Sequence, residues 1–239
     1  MEFLTSPEFW VAVGQIIMID ILLGGDNAIV IALACRNLPP ELRTKGIIWG
    51  TAGAIVLRVI LIFFALTLLS IPYLKIVGAV LLVWIGVKLL LPEDEGHENI
   101  AASDRLMGAI KTIIVADLVM SVDNVIGIAG AAQGVGHEGH QLGLVIFGLL
   151  VSIPIIVWGS SIVHKVMDRF PIIITLGGML LGWIAGTLAV TDPALAAYVP
   201  AATDANFANY KYAVGIAGAL LVLLLGKVLA MRSKASSAA

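Results

Sequence analysis

Seven long apolar runs take up most of the sequence and limit what it can fold into. They lie at 9–34, 47–71, 72–91, 106–132, 141–163, 171–190 and 211–230. A helix of about 20 mostly apolar residues crosses the hydrocarbon core of a bilayer. Backbone N–H and C=O groups find no water there, so a spanning segment has to pair them internally as a helix. The runs therefore predict an all-α membrane protein with seven transmembrane helices.

The amino-acid composition agrees with this prediction and argues against several other classes of protein. Only 13% of the 239 residues are charged, whereas soluble domains carry about 25%. The net charge of −2 and the lack of a basic stripe argue against a nucleic-acid partner. The single cysteine, Cys35, cannot form an intrachain disulfide. We expect the lipid bilayer to be the main partner, and the sequence does not indicate an oligomeric state.

An acid–amide pair occurs twice inside the apolar runs, within two similar segments. The segments are DILLGGDNAIVIALACRNLP (20–39) and DLVMSVDNVIGIAGAA (117–132). Aligning Asp20 with Asp117 pairs further identical residues, namely Asp26 with Asp123, Asn27 with Asn124, Ile29 with Ile126, Ile31 with Ile128 and Ala32 with Ala129. Further along, the spacing of Pro72, Gly78, Trp84 and Ile85 recurs in Pro171, Gly177, Trp183 and Ile184. Two matches in register indicate an internal duplication.

The duplication predicts an inverted repeat, because each copy contains three spans. An odd number of spans makes the second copy enter the membrane from the opposite side, as in many secondary transporters. We therefore expect repeat 1 over 1–99, including the acidic loop PEDEGHEN (92–99), and repeat 2 over 100–190. Residues 191–239 then form an outer loop, one extra C-terminal helix and a tail. The two acid–amide motifs should meet near the middle of the bilayer.

Lys and Arg residues near the span ends predict the orientation. With the N-terminus outside, eleven of them fall on the cytoplasmic side and only Lys75 and Lys211 fall on the outer side. The N-terminal segment lacks the positive charge of a signal peptide, so we expect it to stay as the first span. The sequence thus predicts a multi-pass protein of the bacterial inner membrane with its C-terminus in the cytoplasm.

Four aspartates lie inside the apolar runs: Asp20, Asp26, Asp117 and Asp123. Each costs about 2.5–3.5 kcal/mol at the centre of a spanning helix, and the four together about 10 kcal/mol if isolated and ionised. A chain tolerates this cost when the acids face one another, face water or hold a cation. The alternative is that they are protonated and join helices by hydrogen bonds. Their duplicated positions favour an ion site.

Helix geometry limits how one motif can hold an ion. Asp20 and Asn27 are seven residues apart and nearly share a face, whereas Asp26 lies about 120° away from it. A break at Gly24–Gly25 would bring both acids to one ion and would free carbonyl oxygens as ligands. In the second motif Ser121 shares the face of Asp117 and is a possible further ligand.

The candidate ligands are carboxylate, amide and hydroxyl oxygens, which suit Mg²⁺, Ca²⁺ or Mn²⁺. No Cys or His lies within 20–27 or 117–124, the stretches from the first Asp to the Asn of each motif, so Cu(I) is disfavoured and Zn²⁺ is less suited. Arg58, inside the second span, is interpreted as a counter-ion to the acids when the cation is absent; the alternatives are a side chain that snorkels to the membrane surface and a structural ion pair. No P-loop occurs, and we expect no resident cofactor and no enzymatic activity.

Two weaker patterns have simpler interpretations. The stretch from His137 to His140 lacks the spacing of a known metal motif and is interpreted as a solvated turn in an outer loop, or as an ion-attracting vestibule. Gly178, Gly182 and Gly186 recur every four residues in the sixth run, which predicts close helix packing.

The two quoted segments resemble those of the TerC family of integral membrane proteins, and the resemblance covers essentially the whole chain. The family was named for tellurite resistance, is similar to the lysine-exporter superfamily in its repeats, and has members implicated in manganese export. The resemblance implies metal binding by the residues of both motifs, which are Asp20, Asp26, Asn27, Asp117, Asp123 and Asn124.

Together these observations predict a secondary transporter that exports a divalent cation, with Mn²⁺ implied by the resemblance. Two positive charges cost about 4.6 kcal/mol per 100 mV to move out of a negative interior. Inward protons could offset this cost, and exchange with another cation stays open. The alternatives are a Ca²⁺ or Mg²⁺ transporter, an amino-acid exporter that uses Arg58, and a non-transporting subunit for tellurite resistance or protein assembly.

Overall fold

The protein is described from a computed structural model. It describes residues 10, 11, 14, 18, 26–91, 102–133, 138–200 and 203–237. Some helical residues in these ranges, chiefly 123–133 and 138–145, are described by their backbone alone.

The described residues form α-helices joined by short connections. They are α1 (Asp26–Cys35), α2 (Pro40–Ser70), α3 (Leu74–Leu90), α4 (Ala102–Gln133), α5 (Glu138–Arg169), α6 (Ile172–Val190) and α7 (Phe207–Ser237), with a 3₁₀ helix at Pro193–Leu195. No strand occurs in the ranges described, so the expected all-α class is confirmed there. Three helical segments in them are long and apolar enough to cross a membrane: Pro40–Leu61, Ile172–Val190 and Phe207–Arg232.

Several helices extend beyond the apolar runs that predicted them. α2 begins at Pro40 rather than near 47, because a proline at the first helical position has the required φ and lacks only an N–H that would stay unpaired anyway. α5 begins at Glu138, so residues 138–140, which the sequence analysis placed in a turn, are helical. His137, the Gly24–Gly25 break and the loop 92–99 lie outside the described residues.

Hydrogen bonds made by the residues between helices show which helix ends lie together. At one end, the Arg36 Nη2 atom, just after α1, donates to the carbonyl oxygen of Leu91, just after α3, at 2.9 Å. At the other end, the Asp192 carboxylate, just after α6, accepts hydrogen bonds from the start of α3. The C-termini of α1 and α3 therefore lie at one end, and the C-terminus of α6 meets the N-terminus of α3 at the other.

Small residues bring α2 very close to α4. A Cβ atom added to Gly50 would overlap the side chain of Ile113, and one added to Gly53 would lie 2.6 Å from the Cδ1 atom of Ile114. The core between α3, α4 and α6 is filled with larger side chains, including the fully buried Leu82 and Leu181. Helix pairs without a hydrophobic driving force in lipid depend on such close packing.

The glycine ridge of α6 packs as the sequence predicts. Gly182 lies against the backbone of Gly218 in α7, and Gly186 lies against the backbone of Val214. Gly178 lies against the side chain of Leu90 in α3. Thus α7 packs mainly on α6 and also on α3.

Asp192 acts as a cap for a distant helix. Tyr73, the residue before α3, has φ 68° and makes no side-chain cap. The Asp192 carboxylate accepts instead from the N–H groups of Tyr73, Lys75 and Ile76 at 2.9, 3.0 and 3.2 Å, and from Ala194 N–H at 2.8 Å. Burial of this carboxyl raises its pKa, but the four N–H groups outweigh that effect, so its pKa lies below the ordinary range.

We predict that Gly182→Ala lowers the stability of the protein by about 1–3 kcal/mol, because a methyl group at this position overlaps the α7 backbone. Thermal unfolding in detergent measures the effect. Gly108→Ala is the matched control: Gly108 is also helical, but a Cβ there meets nothing within 4 Å. This control should be neutral or stabilising by about 0.5–1 kcal/mol. Equal unfolding temperatures for both variants would contradict the packing.

We predict that Asp192→Asn costs about 1–2 kcal/mol at pH 7, as loss of a helix cap does. The pKa of Asp192 is lower in the folded protein than in the unfolded chain, where it is about 3.9. The carboxylate therefore stabilises the fold fully above that unfolded pKa, and this stabilisation is lost as the pH falls through the lower folded pKa. The gap in unfolding temperature between wild type and variant should therefore shrink from pH 7 to pH 3. Asp204→Asn, at an exposed carboxylate that accepts from Asn206 N–H at 2.8 Å, is the control.

Candidate functional site

Arg58 of α2 reaches into the bundle and pairs with an acid of α4. Its Nη2 atom forms a short ion pair with the Oδ1 atom of Asp117, and its Nε atom donates to the Oγ atom of Ser121 at 3.1 Å. The Ser121 hydroxyl donates to the Oδ2 atom of Asp117 at 3.0 Å. Asp117 and Ser121 are one turn apart and share a face of α4. All three residues are buried, so Arg58 and Ser121 compensate the charge of a carboxylate that is largely removed from solvent.

The packing of α2 on α4 explains why this network can form. Gly50 and Gly53 let α2 approach α4, and Arg58 follows two turns after Gly50 on the same face. Its long side chain therefore ends at Asp117 instead of extending to a membrane surface.

A small cavity adjoins the network. Its volume is about 20 Å³, enough for about one water molecule. Of the described residues, four with polar side chains line it: Asn27 from α1, Thr51 and Arg58 from α2, and Asp117 from α4. The other described lining residues are apolar and include Ile156 of α5. The cavity thus brings polar side chains of three helices together.

Among the described residues, three buried polar atoms of this region have no hydrogen-bond partner: Asp26 Oδ1, Asn27 Nδ2 and Thr51 Oγ1. About nine in ten buried polar groups in proteins are paired, so the unpaired atoms of two cavity-lining residues, Asn27 and Thr51, are unusual. Asp26 does not line the cavity, but its carboxylate lies within electrostatic reach of Asp117 and Arg58.

The structure brings part of the predicted site together. Asn27 of the first motif and Asp117 of the second line one cavity, and Ser121 and Arg58 contact Asp117. Asp20 lies outside the described residues, while Asp123 and Asn124 are helical with side chains outside the description. The described residues contain no group of three His, Cys, Asp or Glu side chains arranged to hold a metal. Metal binding by the motifs therefore stays a prediction.

Thr51 is a site residue that the sequence analysis did not identify. The sequence feature that could have identified it is its position seven residues before Arg58, which places both residues on the same face of α2. Another buried polar residue, His164 of α5, was also not identified. Its Nδ1 atom lies 3.4 Å from Asp168 Oδ2, but it does not line the cavity.

Comparison with known proteins gives the family. Residues 5–234 match the family model described as "Integral membrane protein TerC family". The chain belongs to the TerC family. The matched range includes both motifs and α1 to α6 in full, so the resemblance noted from the sequence is confirmed.

Two bacterial membrane proteins are similar to this chain over most of its length. The "Uncharacterized membrane protein YjbE" of Bacillus subtilis is 40% identical over 192 residues, which are 80% of this chain and 85% of that protein. The "UPF0053 inner membrane protein YgdQ" of Escherichia coli K12 is 23% identical, covering 71% of this chain and 76% of that protein. No solved structure matches the chain. This TerC-family chain is therefore an integral membrane protein.

We predict that Arg58→Met destabilises the protein by about 3–5 kcal/mol, because it leaves the buried Asp117 charge without its partner. The double variant Arg58→Met with Asp117→Leu removes both charges and should regain most of this loss. Ser121→Ala should cost about 1–3 kcal/mol. Chemical denaturation in detergent gives all four free energies of unfolding. A double variant that is no more stable than Arg58→Met would contradict a coupled pair.

Proposed function

We propose that this TerC-family protein is a secondary transporter that exports a divalent cation, most suitably Mn²⁺, through the site between α1, α2 and α4. One observation carries the proposal: a residue of each acid–amide motif, Asn27 and Asp117, lines the same buried cavity. Ionisable residues inside membrane segments are costly and commonly mark an ion pathway.

The ligand chemistry and the size of the cavity both favour a metal ion. Carboxylate, amide and hydroxyl oxygens are the ligands of hard divalent cations. A cavity of about 20 Å³ suits an ion or a water molecule and is too small for an amino acid. An amino-acid exporter would also need Arg58 for the substrate carboxylate, and Arg58 contacts Asp117 and Ser121 instead.

Competition for Asp117 provides a mechanism. A cation that takes the Asp117 oxygens has to displace the Arg58 guanidinium, because both positive groups cannot share one carboxylate at close range. Release of the cation lets Arg58 return, so the acid keeps a compensating charge throughout. Protons compete for the same oxygens, which couples cation release to proton uptake. Inward protons then supply the energy for export against the membrane potential.

The proposed architecture is seven spans with two inverted repeats and an extra C-terminal helix. Reciprocal contacts support it. Gly78 of α3 lies against Val119 of α4, while its repeat partner Gly177 of α6 lies against Ile29 and Leu33 of α1. Each third helix thus contacts the first helix of the other repeat, as a pseudo-two-fold axis requires.

The proposed orientation has the N-terminus outside and the C-terminus in the cytoplasm of a bacterial inner membrane. Its basis is the excess of Lys and Arg at one set of span ends. The connections at Arg36 and Leu91, which meet at one end of the bundle, would then face the cytoplasm. The Asp192 cap would face outward.

We predict that the protein reconstituted in liposomes transports Mn²⁺, and that a pH gradient accelerates the flux. Asp26→Asn, Asp117→Asn and Asp123→Asn should each lower the flux about tenfold or more, because each removes a charged oxygen ligand. Parallel measurements with Ca²⁺ and Mg²⁺ determine the selectivity.

Asp104→Asn is the matched control, since Asp104 is exposed in the first turn of α4, at the opposite end of about 20 Å of helix from Asp117. Its flux should equal that of wild type. Wild-type flux in all three site variants would reject the shared site. If the wild-type protein moves none of the three cations, a non-transporting role in tellurite resistance or protein assembly becomes the better account.

A further inference from the structure

We infer that Thr51 supplies a hydroxyl oxygen to the transported cation. It would be a ligand from α2, outside both acid–amide motifs. The inference rests on the proposed function and specifies the ligands of the same site.

The Thr51 side chain is buried at the cavity and lacks the bond that helical threonines usually make. It is 2% exposed and lines the cavity, and its Oγ1 atom has no hydrogen-bond partner in the part of the chain that the structure describes. Threonine in a helix commonly donates to a carbonyl one turn earlier. Thr112 donates to Gly108 at 2.9 Å and Thr187 to Ile184 at 3.0 Å. Thr51 is therefore a buried hydroxyl whose usual backbone partner is not used.

A second unpaired group faces the same space from α1. Asn27 is 4% exposed, lines the cavity and has an unpaired Nδ2 atom. A half-turn of its amide exchanges this nitrogen for the oxygen, which can then serve as a ligand. Two neutral side chains of the cavity, Asn27 of α1 and Thr51 of α2, can therefore turn an oxygen atom towards an ion.

The polar side chains of the site fall into two groups, those that already have bonding partners and those with an unpaired atom. The Asp117 carboxylate is bonded by Arg58 and Ser121, whereas the side chains of Asn27 and Thr51 have unpaired atoms. An entering cation can therefore contact Asn27 and Thr51 before Arg58 moves away from Asp117. Neutral oxygens suit this first contact, because they bind a hard cation without adding an uncompensated charge to the membrane interior.

Isosteric substitution tests the hydroxyl alone. Thr51→Val keeps the shape of the side chain and removes its oxygen, while Thr51→Ser keeps an oxygen. Binding of Mn²⁺ to the purified full-length protein in detergent is followed by electron paramagnetic resonance of free Mn²⁺ and by the Mn²⁺-dependent shift in unfolding temperature. Thr187→Val is the matched control, since Thr187 lies in α6 with its hydroxyl bonded to its own helix.

We predict that Thr51→Val raises the Kd for Mn²⁺ by about tenfold or more, since loss of groups that only orient a ligand already costs about 10–100-fold. Thr51→Ser should stay within about threefold of wild type on the same basis, and Thr187→Val should equal it. The unfolding temperature without Mn²⁺ reports any purely structural effect of the valine. A changed temperature with an unchanged Kd would overturn the inference.

The outcomes separate this inference from the proposed function. If Thr51→Val binds Mn²⁺ like wild type while Asp117→Asn does not, the hydroxyl is not a ligand and the transporter stands. If wild type itself binds no Mn²⁺, Ca²⁺ or Mg²⁺, the proposed function fails together with the inference.

Discussion

The ion pair between Arg58 and Asp117 is the interaction on which the arrangement of the helices around the site depends. A carboxylate or guanidinium alone inside a bilayer costs several kcal/mol, so each tolerates its position only because the other is present. Ser121 bonds both groups and fixes their geometry. The pair also ties α2 to α4, which the sequence analysis assigns to different repeats. A cation that binds Asp117, as we propose, would therefore act on the contact between these two helices.

Close backbone packing makes this polar contact possible. The glycines of α2 remove the side chains that would hold α4 away, and those of α6 do the same for α7. In lipid, apolar side chains gain little by leaving one apolar surface for another, so shape and polar contacts determine which helices associate. Packing by small residues and charge compensation by Arg58 thus act together, and a change in either should alter the other.

The sequence predicts the helices well and the site only in part. Runs such as 171–190 define spans because bilayer thickness fixes their length, and Asn27 and Asp117 were found because a polar residue in such a run is costly. Comparing the two repeats could not identify Thr51, because the corresponding part of the second repeat contains no matching motif. The sequence also could not show that Asp192 caps α3, since that contact joins residues more than a hundred positions apart. Spacing along one helix predicts a shared face, but it does not predict which helix lies opposite.

The last helix makes the two halves of the protein unequal. α7 has no counterpart in the duplication and packs mainly on α6, where backbone meets backbone at Gly182 and Gly218. In the transporter that we propose, two identical repeats would give inward-open and outward-open forms related by the two-fold axis and equal in free energy. A helix attached to one side would remove that equality, so one form would become the resting form, and residues remote from the ion would set the free-energy difference between the two forms.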